Sequence, residues 1–466
     1  MSSILIRNPL LIATMNDNHQ EFRGGHIYIE GNRIVSVGPE PLDRPADKVI
    51  DATNMVVLPG FINTHHHLFQ SLTRNVPLMA NAPLFEWLTN HYEIWREIRT
   101  EGIRVSAKTA LLEMMKSGVT TSSDHLYLYP SEADPELMDA EIDSAHELGI
   151  RFQPTRGSMS LGKSHGGLPP DDIIQTEDEI RKDVIRVLEK YHDPDFGAMV
   201  RISLAPCSPF NVTPSEMKST VEFAKANQLR IHTHLAETLD EEEFCLSEFG
   251  KRPVDYMADL GWINGDAWFA HAIHLNDDEV RRFAEVGVGI SHCPSSNMRL
   301  GSGIARVKEL MQEGAAVSLG VDGTASNDSG NMLMEIRKAM MISRLRDRDY
   351  WLTAREALWL ATRGGARVLG RDDIGELAPG KCADLVMFDV NRLEYAGGMS
   401  DPLAALVFSV RMSPVDHVIV DGKEVISKTK SVVDEMDLVR QHNQISEDIL
   451  KIATEKTGID FLKQPE

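Results

Sequence analysis

The chain has 466 residues, 42% hydrophobic and 25% charged, the profile of a soluble globular protein without low-complexity tracts that would stay unfolded. That length exceeds one small core and suits a large barrel with a satellite domain. With 48 basic against 70 acidic residues the net charge is -22, and no basic patch offsets it, which excludes nucleic acid as the expected partner.

From Ile4 to Val57 the pattern is short and strand-like: Ile4-Leu5-Ile6, Leu10-Leu11-Ile12, His26 to Ile29 and Ile34 to Val37, with Gly31-Asn32 as a hairpin signal between the last two. From about Leu58 to Gly375 short apolar strands alternate with amphipathic stretches such as Ile103 to Met115, Glu177 to Tyr191, Pro214 to Asn227 and Asp277 to Val286. Repeated βα units of this kind close a barrel when there are eight. The expected strands are Gly60 to His67, Thr120 to Leu126, Arg151 to Thr155, Val200 to Ala205, Arg230 to Leu235, Ala267 to Ala270, Gly289 to His292 and Val317 to Gly320. After Gly375 the β pattern returns, with Ala383 to Phe388 and Val415 to Val425, the latter turning at Asp421-Gly422; a polar, periodic stretch from Glu435 to Thr454 follows. The expected α/β architecture is a (β/α)8 TIM-like barrel over 58–375, a small β sandwich built from both chain ends (1–57 plus 376–434) and a helical C-terminal segment, 435–466.

The strongest chemical signal is Pro59-Gly60-Phe61-Ile62-Asn63-Thr64-His65-His66-His67, because residues two apart on an extended segment face one side. His65 and His67 can present two imidazoles to one metal. Ile231-His232-Thr233-His234-Leu235-Ala236-Glu237 ends another strand, where barrel active sites gather, and offers His234 as a third nitrogen and Glu237 as a proton carrier. His271 ends a sixth strand and Asp322 follows the eighth, between Val321 and Gly323. Two histidines on strand one, one on five, one on six and an aspartate on eight form the order that a metal site at a barrel mouth requires.

Together with Leu58-Pro59-Gly60, Ser291-His292-Cys293-Pro294-Ser295-Ser296-Asn297 and Gly375-Glu376-Leu377-Ala378-Pro379-Gly380-Lys381-Cys382-Ala383-Asp384-Leu385, this order resembles the amidohydrolase superfamily, in its branch of single-metal heterocycle deaminases, over nearly the whole chain. The resemblance implies metal ligands at His65, His67, His234 and Asp322, with Glu237, His271 and Asp322 as the catalytic set. Asn63 departs from the pattern, since many members carry aspartate there. Two-metal members have a bridging lysine after strand four, whereas this chain reads Ser203-Leu204-Ala205-Pro206-Cys207-Ser208-Pro209, so one divalent metal is implied. Imidazoles and a carboxylate suit zinc, with iron the alternative.

The implied reaction is hydrolytic removal of an amino group from a nitrogen heterocycle. Water is activated by the metal with Asp322 and His271, and Glu237 carries the proton to ring nitrogen and ammonia. Gln70 offers a donor and an acceptor to an amide edge, Arg156 can fix a ring carbonyl, and Trp87 can cover a flat ring; Phe85, Trp95 and His125 are further candidates, though an aromatic helix face is core as often. The loops at 82–88, 123–128, 156–162 and 166–170 most resemble those of deaminases acting on 8-oxoguanine, with isoxanthopterin or another pterin and hydroxytriazines as alternatives. A triazine chlorohydrolase or cyclic amide hydrolase would use the same ligands, and a non-catalytic binding module is the remaining reading.

The four cysteines, Cys207, Cys245, Cys293 and Cys382, form no CxxC pair, which argues against a disulfide framework. There is no HExxH and no PCxxC deaminase segment. The N-terminus carries no basic-then-apolar leader, and no run approaches about 18 apolar residues, so the expected compartment is the cytoplasm, away from membranes. The expected partners are a small heterocycle and water, and the resemblance implies a homo-oligomer.

Overall fold

The computed structural model describes residues 2–410 and 414–464. Residue 1, residues 411–413 of the expected sandwich segment and 465–466 of the terminal segment lie outside the described residues. Eight parallel strands follow one another around a single sheet: Phe61–Asn63, Val119–Leu126, Arg151–Ser158, Ser203–Pro206, Ile231–Leu235, Ala267–His271, Gly289–His292 and Ala316–Leu319. Thr64 closes the ring, its N–H donating to the Leu319 carbonyl at 3.1 Å, so this is the expected barrel. Strand one is shorter than expected, because beyond Asn63 the chain leaves its ladder for that closing bond and continues as the extended segment that carries the histidines.

Helices cover the barrel, and their starts follow from capping chemistry. Helix Glu177–Tyr191 begins with a Thr176/Glu179 capping box, and Asp277–Val286 with Asn276/Glu279. Pro214, needing no amide partner, opens Pro214–Asn227 after the Thr213 cap. Inside the barrel, strands two and three are buried along their whole lengths. Below the mouth, the Thr64 hydroxyl meets those of Ser291 and Ser318, each at 2.7 Å. The hydroxyls satisfy one another, which lets polar side chains fill a core without water.

Both chain ends build the neighbouring sheets. A four-stranded sheet orders Arg33–Gly38, His26–Glu30, Ser3–Arg7 and Lys48–Asp51; a six-stranded sheet orders Lys423–Ser427, His417–Val420, Leu385–Asp389, Met55–Pro59, Leu11–Ala13 and Glu21–Phe22. Alternate residues, Ile4, Ile6, Ile27, Ile29, Val57, Leu385 and Met387, pack a shared apolar core. Asp421 and Gly422 both take positive φ, 51° and 74°, as a tight hairpin turn requires. The terminal helix runs Glu435–Thr457 and lies against the barrel, where His442 Nε2 meets the Ser71 carbonyl at 2.9 Å and Ser446 donates to Leu72 O at 2.6 Å. Among the described residues no helix is long and apolar enough to cross a membrane.

Barrel and sheets are joined by a buried ion pair. Arg151, at the start of strand three, donates through Nε to Asp384 Oδ2 at 2.8 Å and through Nη1 to the Gly197 and Ala198 carbonyls, while Asp384 also accepts from Asp421 N–H. Removing one partner of such a pair leaves an uncompensated charge. Arg151→Leu is therefore expected to destabilise the fold by about 3–5 kcal/mol, read as a shift of the urea midpoint; an unchanged midpoint would show that the pair does not hold the two parts together.

Candidate metal centre

At the C-terminal mouth of the barrel the histidines and Asp322 come together, all buried. His67 Nε2 and His234 Nε2 face each other at 3.2 Å, and Asp322 Oδ1 lies 3.4 Å from the Nε2 atoms of both His65 and His67. His271 Nε2 is 3.5 Å from Glu237 Oε2 and 3.9 Å from Asp322 Oδ2. The backbone is bent to achieve this: Ala236, His271, Ala272 and Asp322 all have positive φ, at 52°, 70°, 48° and 63°. Non-glycine residues adopt that region only at a cost of order 1–3 kcal/mol each, and its clustering at strand ends is the mark of a site held open by the surrounding fold. Asn63 helps to hold it. Its amide nitrogen donates to Ser122 Oγ at 3.0 Å while its oxygen accepts Val321 N–H at 2.9 Å, so the residue that departs from the family pattern pins strand one to the turn carrying Asp322.

The protonation of these rings can be read from their partners. His67 Nδ1 points at the His125 carbonyl (2.9 Å) and His234 Nδ1 at the Cys207 carbonyl (2.7 Å). A carbonyl only accepts, so each Nδ1 carries the proton and each Nε2 is left as a lone pair. Burial pushes the His234 pKa down to about 3 and the His65 and His67 values down as well, keeping the rings neutral. Among the described residues, His65 Nε2 is buried without a hydrogen-bond partner. Three lone pairs and a carboxylate converging in a dry pocket repel one another unless a cation lies between them, and neutral imidazoles with a carboxylate are a donor set for a divalent transition metal. The residues present fit such an ion.

Beside this cluster is a proton-handling pair. Burial pushes the Glu237 carboxyl up to about 7, with the nearby Asp322 charge adding to the rise and His271 opposing it. Burial would lower the His271 pKa, but the Glu237 and Asp322 carboxylates outweigh it and raise it. Asn297 orients the ring through its Oδ1, 2.9 Å from His271 Nδ1. A carboxyl that titrates near neutral pH thus sits beside an imidazole whose proton its carboxylate neighbours hold.

A cavity opens in front of these groups. Gln70 and Trp87 both line it. The Gln70 amide nitrogen donates to Tyr127 Oη at 3.4 Å, and among the described residues its oxygen has no partner. A Cβ on residue 323 would meet that oxygen at 1.8 Å, so only glycine there leaves room for the carboxamide. Arg156 requires a correction: it is directed into the helix layer, away from the cavity, donating to Asp183 Oδ2 at 2.6 Å, to the Gly157 carbonyl and to Gln175, with its guanidinium over the Tyr129 ring. Its charge is already compensated by Asp183. Phe85 packs on Phe210, which lines the cavity, and Trp95 is tied into the core through its indole N–H to Thr73 Oγ1. His125 stacks behind His234, with Nε2 at the Ala205 carbonyl. Sequence reasoning missed Ser208 and Asn211, whose side chains line the cavity from the loop after strand four. Their signal was that loop's position, which had been read only for the lysine it lacks.

Two outcomes test this geometry. Stripping the protein with a chelator and returning zinc is expected to raise the denaturation midpoint, by about 4 kcal/mol at 1,000 times the dissociation constant, and a His67→Ala/His234→Ala variant should lose the response. A wild-type midpoint indifferent to zinc would contradict the site. Arg156→Ala is expected to lower stability, because Asp183 loses one of its two arginine partners and the contacts with Gly157 and Gln175 go with it, while the order of preference among heterocyclic substrates stays as in wild type; a reordered preference would put Arg156 back among the recognition residues.

Comparison with known proteins agrees with this geometry. The chain is 48% identical over 425 residues, 91% of its length and 93% of the relative's, to the 8-oxoguanine deaminase of Pseudomonas aeruginosa. It is 33% identical over 446 residues, covering 91% of this chain and 92% of the relative, to an isoxanthopterin deaminase from an unknown prokaryotic organism. The fold matches the crystal structure of the atrazine chlorohydrolase from Arthrobacter aurescens TC1 complexed with zinc at a TM-score of 0.91, with 33% identity over 95% of this chain and 100% of that one. The amidohydrolase family model matches residues 56–425, spanning the barrel and the sheet strands on either side of it, and the chain belongs to the amidohydrolase family.

Proposed function

We propose that this chain removes the amino group of a nitrogen heterocycle by hydrolysis, releasing ammonia, and that 8-oxoguanine is its first-choice substrate. The observation that carries the reading is the inward convergence of three neutral imidazole lone pairs and Asp322 beside the Glu237/His271 pair, at the floor of a cavity. The choice of base is supported by the higher identity to the 8-oxoguanine deaminase, 48% against 33% for the isoxanthopterin deaminase.

His65, His67, His234 and Asp322 would hold one divalent ion, zinc or, with the same ligand types, iron. When bound, such an ion supplies the Lewis acidity that brings water toward hydroxide near neutral pH. Gln70 then takes an amide edge of the ring through its unpartnered oxygen, and Trp87 covers the flat face. As water adds to the carbon bearing the amino group, Glu237 carries its first proton to the ring nitrogen and then takes the second, from the hydroxyl so formed, to the departing amine. His271 donates toward the oxygen that develops charge on that carbon. The products are the oxo heterocycle and ammonia, so atoms balance with one water consumed.

The test is ammonia release by the zinc-loaded protein over 8-oxoguanine, guanine, isoxanthopterin, pterin and hydroxylated triazines, with chloride release from a chlorotriazine measured alongside. Highest kcat/KM on 8-oxoguanine is expected; chloride release exceeding every deamination would replace this reading with the chlorohydrolase one. Glu237→Gln, isosteric but unable to carry the proton, is expected to lower kcat by about 100 to 10,000-fold with zinc still bound. Full activity in that variant would remove Glu237 from the mechanism.

A further inference from the structure

One fully buried histidine lies directly behind the centre and is used by none of the steps above. His232 sits on strand five two residues before His234, with 0% of its surface exposed. Its Nε2 is 2.8 Å from His65 Nδ1, and its Nδ1 is 2.9 Å from the Trp268 carbonyl on strand six. The Trp268 ring stacks on the imidazole, with centroids 4.5 Å apart and planes 15° from parallel. The indole N–H of Trp268 donates in turn to the carbonyl of Thr64, the residue before His65, at 3.1 Å. Thr64, His65, His232 and Trp268 thus form a closed circuit across strands one, five and six.

The circuit admits one arrangement of protons. The Trp268 carbonyl can only accept, so His232 Nδ1 carries the hydrogen. A neutral His232 then has a lone pair at Nε2, which can only accept from His65, so the His65 proton is placed on Nδ1. That leaves His65 Nε2 bare, facing Asp322. The other tautomer of His232 would set two acceptors against each other at Trp268 and donate to His65 Nδ1, driving the His65 proton onto Nε2, where it would occupy the position an ion needs. Unlike His67 and His234, whose Nδ1 atoms meet carbonyls directly, His65 meets a second imidazole at its Nδ1.

We propose that His232, held by Trp268, is a positioning residue that fixes the tautomer and ring orientation of His65 and so sets the affinity of the centre for its metal. The proposal rests on the metal-centre reading and not on the identity of the substrate. Partners of this kind, acting on the far nitrogen of a ligating histidine, typically change metal affinity by about 10–100-fold when removed.

The experiment measures zinc affinity by chelator competition on the full chain, without substrate, for wild type, His232→Leu and His232→Gln, with near-UV circular dichroism confirming that each metal-free protein is folded. Leucine removes the acceptor, whereas glutamine returns a carbonyl oxygen where Nε2 stood. His232→Leu is expected to bind zinc about 10–100-fold more weakly, and His232→Gln to recover most of that loss. Equal affinity in wild type and His232→Leu would overturn the proposal, as would an equal loss in both variants. A wild-type protein that binds no zinc would defeat the metal-centre reading itself, a distinguishable result. Should the leucine variant fail to fold, ¹⁵N correlation spectra of histidine-labelled, zinc-loaded wild type decide: His232 must show a protonated Nδ1 and a bare, zinc-free Nε2, and a proton on its Nε2 would overturn the proposal.

Discussion

Backbone carbonyls govern the chemistry of this barrel mouth. The carbonyls of His125 and Cys207 each take the Nδ1 proton of one ring, and that of Trp268 acts on His65 through His232. Because a carbonyl cannot donate, the outer nitrogens are committed as donors and the inner nitrogens as lone pairs. In water such lone pairs would be hydrated. Here they are buried, and their mutual repulsion and the Asp322 charge persist until a cation enters. The affinity for a metal is thus written largely in strand-to-strand backbone positions, which are set by the register of the sheet rather than by the ligands' own side chains.

The cost of that arrangement is distributed through the fold. Four non-glycine residues at strand ends take left-handed backbone conformations, tolerable only because the strands beneath them are fixed. The hydroxyl group of Thr64, Ser291 and Ser318, the closing bond from Thr64 to Leu319 and the Asn63 bridge all act at the junction of strands one, seven and eight, where a barrel is most easily parted. The side of the cavity that carries Gln70 is built differently. Gln70 lies on the short 3-10 turn Leu68–Thr73, and the carbonyls of Ser71 and Leu72 on that turn are held by the terminal helix.

Much of this was legible in the sequence because local rules dominate there. The amphipathic stretches Glu177–Tyr191, Pro214–Asn227 and Asp277–Val286 form helices with those bounds, and the turn signals at Gly31-Asn32 and Asp421-Gly422 marked two hairpins. The HxH spacing placed His65 and His67 on one side, and their rings meet at 4.7 Å. The chain order of His65, His67, His234, His271 and Asp322 followed from a repeating βα unit, whose strand ends must gather at one mouth.

What the sequence alone determined was the repeating architecture and the residue types that reach the mouth, since both follow from periodicity and chain order. What only the tertiary structure decided was direction and partnership. Arg156 ends a strand as any recognition residue might, yet its side chain turns toward Asp183 on the helix layer. Asn63 departs from the family pattern, yet it joins strand one to the Asp322 turn from the far end of the chain. His232 looked like half of a histidine pair, and its meaning came from a carbonyl on the next strand. Each of these depends on which face of a strand a residue occupies and on what lies across from it, and pairings between segments tens to hundreds of residues apart leave no local trace in the order of amino acids.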